Sequence, residues 1–228
     1  MKTKTKEEYD EIVKDAVVLV RENFGNKVLI TPNGNIVKAF HHRKRIGSHL
    51  TYSHIGHFLK NAFRLKIKNI NTLNPIEWFR VKELKRDVVI YPEIPGKSVR
   101  DYLASGDVSI LGKLARFLAC IHKKNVYFRA GHLGNFLIRN DNELALIDVC
   151  NVKFRLDTRR RAKSVAYLFF HDRTDHQAFK RYGFDKFIEE YLRYADLNKI
   201  GEKCFKADIN HRVKKYFKKH PDESMTYL

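Results

Sequence analysis

Apolar and polar positions alternate along this chain with two periods. Tyr9, Ile12, Val13 and Val17 share one side of a 3.6-residue repeat, which predicts an amphipathic helix over Glu7–Val20. Lys27–Thr31 and Ile36–Phe40 read as strands around Pro32-Asn33-Gly34-Asn35, a hairpin signal. The run His41-His42-Arg43-Lys44-Arg45 follows, and a helix is predicted from Tyr52 to Ile67. Val88–Tyr91 reads as a buried strand, ended by Pro92 and Pro95-Gly96. Ser98 can cap a short helix through Leu103, with Asp101 at its positive end. Ile110, Leu111, Leu114, Phe117, Leu118 and Ile121 place a buried helix over Val108–Lys124. Helices are also expected over Arg160–Phe170, Phe184–Ala195 and Asp208–Lys219. The last is basic, with Val213, Tyr216 and Phe217 on one face.

Between these helices lies the stretch richest in chemistry. Phe128 to Asn135 reads as a loop, Phe136–Arg139 as a strand, Asn140-Asp141-Asn142 as a turn that tolerates left-handed backbone, and Leu144–Ile147 as a strand ending in Asp148. The hairpin carries Asn135 at one end and Asp148 at the other. An amide oxygen and a carboxylate held this way suit a hard cation such as Mg²⁺. Both residue types also cap turns, but an apolar strand running into Asp148 would leave a half-buried carboxylate in need of a partner. Lys38 poses the converse problem. It shares a strand face with Ile36 and Phe40, and if that face points inward the ammonium requires an anion.

At these residues the chain resembles the protein-kinase-like superfamily, and more narrowly the lipopolysaccharide kinase (Kdo/heptose kinase) group in its toluene tolerance branch. Asn35–Phe40 looks like the strand bearing the nucleotide lysine, Phe58–Leu65 like the helix facing it, and Tyr91–Gly96 like the hinge between lobes. The resemblance implies an α+β fold with a small antiparallel-sheet N-lobe over residues 1–94 and a mainly helical C-lobe over 95–228. It implies ATP and Mg²⁺ as cofactors. Lys38 would hold nucleotide phosphates, backbone groups of Pro92 and Ile94 the adenine, and Asn135 and Asp148 the metal. It implies phosphorylation of a sugar hydroxyl in the lipopolysaccharide inner core, in the cytoplasm or at the inner membrane of a Gram-negative bacterium. Two positions depart from the family pattern. Ala130 stands where the catalytic aspartate usually lies, and Asn61 where a helix glutamate usually pairs with the lysine. A divergent enzyme and a pseudokinase that binds nucleotide or glycolipid without transfer are both compatible with these changes. No glycine-rich G-x-G-x-x-G loop precedes Lys38, although Gly34 lies between the two strands where such a loop would sit.

Charge adds a third consideration. The 228 residues hold 45 Lys and Arg against 26 Asp and Glu, a net +19, positive in both halves of the chain. Such a field draws phosphate-rich glycolipid, an anionic membrane surface, nucleotide or nucleic acid. Arg159, Arg160 and Arg161 follow Asp148 closely and suit an anionic acceptor, though charge runs also occur as solvated helix starts. A nucleic-acid-binding module ranks last, because no zinc, RNP or helix-turn-helix signature accompanies the charge. Cys120, Cys150 and Cys204 show neither metal spacing nor a disulfide framework, and buried or inert thiols are expected. With 43% hydrophobic residues the chain can bury a sizeable core, and no signal peptide or apolar run of membrane-spanning length is evident.

Overall fold

The computed structural model describes residues 1–23, 25–41, 54–129 and 131–220. The chain forms two compact units, Met1–Pro95 with Ala145–Cys150, and Gly96–Leu144 with Asn151–Leu228. Ala130, His42–Arg45 and the start of the helix expected at Tyr52 lie outside the described residues.

The first unit begins with β1 (Lys2–Lys4) and α1 (Lys6–Ile12). Thr5 and Glu8 form a reciprocal capping box at the start of α1. The helix expected over Glu7–Val20 stops at Ile12, and Asp15 turns the chain in left-handed backbone at φ 57°. Val17–Glu22 is instead strand β2. The run Val17-Val18-Leu19-Val20 is rich in β-branched side chains, which lose less rotamer freedom on a pleated surface than in a helix. β3 (Gly25–Ile30) and β4 (Asn35–His41) follow, then α2 (His54–Ile67), β5 (Glu77–Val81) and β6 (Arg86–Pro92).

These strands form one sheet in the order β1-β5-β6-β4-β3-β2, antiparallel throughout except for the β1–β5 pair. The β3–β4 hairpin closes with Thr31 N–H donating to Asn35 O at 2.9 Å, and Gly34 occupies φ 71° in the turn. Alternation on β4 sends Val37 and Ala39 to one side, where they pack with Tyr9 of α1, Leu29, Phe79, Val81, Val88 and Ile90. Ile36, Lys38 and Phe40 project to the other side, where Phe58 of α2 lies 5.5 Å from Phe40 and 5.8 Å from Tyr91, ring to ring. Strand β5, unassigned from sequence, is pinned to β6 by Arg80 opposite the buried Asp87, with Nε donating to Oδ1 at 2.7 Å.

The second unit opens with β7 (Gly96–Ser98) and α3 (Val99–Leu103), capped by Ser98 as expected. Then come α4 (Ile110–Lys123), β8 (Tyr127–Phe128), a 3-10 turn at Leu133–Asn135 and β9 (Phe136–Arg139). β7 pairs antiparallel with β9 so closely that a Cβ on Gly96 would meet Ile138 O at 2.1 Å, which admits only glycine there. The turn after β9 places Asn142 at φ 65° and leads into β10 (Leu144–Leu146). β11 (Val152–Lys153) pairs with β8. The remainder is helical: α5 (Thr158–Phe170), α6 (Arg173–Tyr182), α7 (Phe184–Ala195) and α8 (Lys199–Lys219). α6 was not expected from sequence, and α8 begins nine residues earlier than the predicted Asp208, with Asn198 as its cap. The overall class is the expected one: an α+β fold with an antiparallel-rich N-terminal sheet and a helical C-terminal part. No described helix is long and apolar enough to cross a membrane.

The helices of the second unit close on aromatic rings. Phe169 lies 4.8 Å from both Phe179 and Phe184, and Tyr191 stacks on Phe205 at 4.9 Å. His122 of α4 is fully buried, with Nδ1 2.8 Å from the Tyr191 hydroxyl. Burial, reinforced by the Arg161 guanidinium, pushes its pKa down from 6.5 to about 3. The unfolded chain therefore binds a proton between these values that the folded chain does not, and stability falls as pH drops below about 6.5. Between pH 7.5 and 5, His122→Asn is expected to lose about 2 kcal/mol less stability than the parent chain in urea unfolding. Equal losses in the two proteins would contradict the neutral, buried imidazole.

Candidate functional site

Lys38 is 5% exposed, and its position follows from the alternation of β4. Its Nζ lies 5.5 Å from the Phe40 ring centroid and 5.2 Å from that of Phe58, so the ammonium sits against aromatic faces that favour a cation. The ammonium donates to Asp148 Oδ1 at 2.7 Å, from a residue 110 positions away in the chain. The strand face of Lys38 therefore points inward.

Four hydrogen bonds, to Asn61, Asn71 and Thr72, hold the Asp148 segment to the rest of the first unit. Leu146 N–H donates to Asn71 O at 2.9 Å, and the Thr72 hydroxyl donates to Leu146 O at 2.8 Å. Beyond Asp148, the buried Asn61 of α2 donates Nδ2 to Val149 O at 2.7 Å and to Cys150 O at 3.2 Å. Asp148 itself adopts φ 55°, a left-handed conformation that costs a non-glycine residue about 1–2 kcal/mol. The bonds on either side over-determine that conformation. Asn61 thus anchors the backbone after Asp148, and the anion facing Lys38 comes from Asp148, not from α2.

Nearby titrating groups are held neutral. Burial, with the Asp148 charge adding to it, pushes the Cys150 thiol up to about 12. The Tyr91 hydroxyl is raised for the same reasons, burial first. Cys150 is half-buried and stays a thiol at neutral pH, and Cys120 and Cys204 are exposed.

The donor set has a definite chemical character. The Asp148 side chain is 42% exposed, a hard oxygen donor beside a buried cation. Among the described residues no cluster of three or more His, Cys, Asp or Glu exists. A single exposed carboxylate of this kind suits Mg²⁺, which takes one or two carboxylates and fills its remaining positions with phosphate oxygens and water. Cross-strand register places Val20 and Val28 on the face of Lys38, and Val17 and Ile30 on that of Ile36. Val17 is 63% exposed and Val20 43%, so this side of β2 and β3 offers an open apolar surface. Pro92 and Ile94 lie in the same unit at and just beyond the end of β6. Lys38 pairs with Val89, three residues before Pro92, so the two ends of the strip are about 10 Å apart. Glu93 N–H donates to Gly34 O at 2.9 Å and ties the segment after β6 to the β3–β4 turn. An open cavity of about 540 Å³ in the same unit, lined by Glu11, Lys14, Thr31, Asn33 and Val37, belongs to the α1 side of the sheet and not to the Lys38 side.

The remaining candidates lie in the second unit. Asn135 is buried in the 3-10 turn, with its N–H donating to His132 O at 2.9 Å. The His132 ring stacks on His171 with centroids 4.6 Å apart, consistent with a loop-holding histidine. Arg159 is exposed. Arg160 pairs with Asp157, the cap of α5. Arg161 is engaged within the second unit. Its guanidinium donates to Ala195 O at 2.8 Å and to His122 O at 3.5 Å, joining α5 to the ends of α7 and α4. Lys38 and Asp148 are brought together within the first unit, while Asn135 and Arg159–Arg161 belong to the second.

No protein-family model and no curated protein matches the chain. Among solved structures it is similar to WbdD bound to the kinase inhibitor LY294002, at 15% identity and a TM-score of 0.46, over 75% of this chain and 44% of that one. A second structure, of the bifunctional kinase-methyltransferase WbdD, aligns at 13% identity and a TM-score of 0.46, over 80% of this chain and 46% of that one. The chain spans less than half the length of either.

The part assigned to Asn61 has a direct consequence. Asn61→Leu removes the amide that the Val149 and Cys150 carbonyls accept from, and is expected to destabilise the protein by about 2 kcal/mol in urea unfolding. An unchanged midpoint and slope would show that the segment is held by other contacts.

Proposed function

We propose that this chain binds ATP with Mg²⁺ and transfers the terminal phosphoryl group to a sugar hydroxyl of the lipopolysaccharide inner core, at the cytoplasmic face of the inner membrane. The observation that carries the reading is the Lys38–Asp148 pair: a buried ammonium on an aromatic floor whose partner carboxylate remains 42% exposed. In this reading Lys38 holds phosphate oxygens in place of part of its present bond to Asp148. Asp148 offers oxygens to the metal, which when bound shields the phosphate charge, and the family resemblance gives Asn135 the same part. The exposed apolar side of β2 and β3 receives the adenine, with backbone groups of Pro92 and Ile94 fixing its edge. Asn61 keeps the Asp148 backbone in register. Arg159, exposed at the first turn of α5, is available to an acceptor already carrying carboxylate or phosphate. Arg160 can join it by leaving Asp157. The choice of acceptor rests on the family resemblance and on the net charge of +19.

A second reading is favoured by a specific observation. Lys38 is neutralised by Asp148 itself, and the helix position that the resemblance gives to a glutamate is an asparagine bonded to backbone. With Ala130 in place of the usual aspartate, the same site suits a protein that binds nucleotide and transfers nothing. A missing general base slows phosphoryl transfer by about 10²–10⁴-fold and does not by itself abolish it.

The two readings separate by mass spectrometry of core oligosaccharide from wild type, a deletion strain, and the deletion carrying Asp148→Ala. The transferase reading expects loss of one phosphate in the deletion, unrestored by the variant. An unchanged phosphate count in all three strains would overturn it and leave the binding reading.

A further inference from the structure

We propose that the solvent face of α8 docks this protein on an anionic lipid surface. The 21 residues of α8 make a rod about 31 Å long with two unlike sides. One side is turned into the second unit: Phe205 and Ile209 are buried, and the Tyr216 ring stacks on Phe170 at 4.1 Å. The opposite side exposes Lys203, Lys214 and Lys218, and Lys206, Lys215 and Lys219 are exposed along its flanks. Neither acidic residue of the helix offsets them. Glu202 is half-buried, and Asp208 is bonded to Arg212, with Nε donating to Oδ2 at 3.1 Å. Ion pairs elsewhere engage Lys4, Lys6, Lys14, Lys27, Lys38 and Lys123, but among the described residues none engages these six lysines.

The geometry favours lipid over nucleic acid as the occupant. Helical spacing aligns Ile200, Lys203, Ala207, Asn210, Lys214 and Lys218 along the outermost line of α8. Ile200, at the end of that line, is 73% exposed, which sets an apolar side chain level with the lysines, as an interfacial helix requires. The aromatic rings of α8 that could stack on bases, Phe205, Tyr216 and Phe217, face the core. The one arginine of the helix, the side chain best suited to fork onto base edges, is bonded to Asp208. Lysines spread along a rod, each a compact point charge, match the diffuse negative field of a leaflet. The inference does not depend on the nucleotide reading, because α8 and Lys38 belong to different units.

The test is flotation of the full chain with vesicles of phosphatidylcholine alone and of phosphatidylcholine mixed with phosphatidylglycerol, with single-stranded RNA as competitor. Binding is expected only to the mixed vesicles. Lys203→Gln/Lys214→Gln/Lys218→Gln should lower partitioning about a hundredfold, and Ile200→Ser roughly tenfold. The triple variant changes exposed lysines only, so its thermal unfolding should match the parent. Failure to bind the mixed vesicles, or undiminished binding by the triple variant, would overturn the proposal. So would RNA that displaces the protein from vesicles and loses its own affinity in the triple variant, since α8 would then be a nucleic-acid surface. None of these outcomes bears on phosphate transfer, so docking and catalysis fail separately.

Discussion

A buried ammonium must have an anion beside it, and this requirement at Lys38 organises the candidate site. Leaving the charge unpaired in an aromatic environment would cost several kcal/mol. The chain meets the requirement with Asp148, drawn from a segment 110 positions downstream that joins the first unit through Asn61, Asn71 and Thr72. Removing any of those anchors weakens the pair indirectly, by freeing a backbone that must hold a strained φ. In the proposed reading the pair also has a latent function. A lysine and a carboxylate that satisfy each other in the absence of ligand are the groups that can exchange partners when phosphate and a hard cation arrive.

The parts of this arrangement legible in the sequence were those with a local signature. Strand alternation put Lys38 on one face with Ile36 and Phe40, which raised the need for an anion if that face pointed inward. Asp148 stood out because an apolar strand ran into it. Asn61 had no such signature. Its amide reaches carbonyls 88 and 89 positions away, and nothing near it in the sequence marks that bond. The bonds of Arg161 were hidden for the same reason: within a run of arginines its partners, the Ala195 and His122 carbonyls, are visible only in three dimensions.

The errors in secondary structure have a common origin in ambiguous apolar runs. Val17–Val20 fits the apolar stripe of a helix as well as a strand, and pairing with β3 decides the matter. Glu77–Val81 lies just after Pro75 and carries charges at both Glu77 and Arg80, which masks a strand whose alternate residues Phe79 and Val81 are fully buried. In α6 the apolar content is too thin to announce a helix, with Ala178 and Phe179 its buried apolar residues. The basic balance was plain in the composition, but its arrangement was not. Only the fold shows that the aromatic side of α8 is covered while its lysine side is open.

The central claim is that Lys38, paired with Asp148, is the phosphate-holding cation of a nucleotide site. Titration calorimetry of ATP with Mg²⁺ into the parent chain and Lys38→Met tests it most directly. Charge-assisted bonds to phosphate contribute about 1.5–3 kcal/mol, so the account predicts measurable binding to the parent chain and an affinity lower by at least about tenfold in the variant. Equal affinity in the two proteins, or no binding to the parent chain, would contradict it.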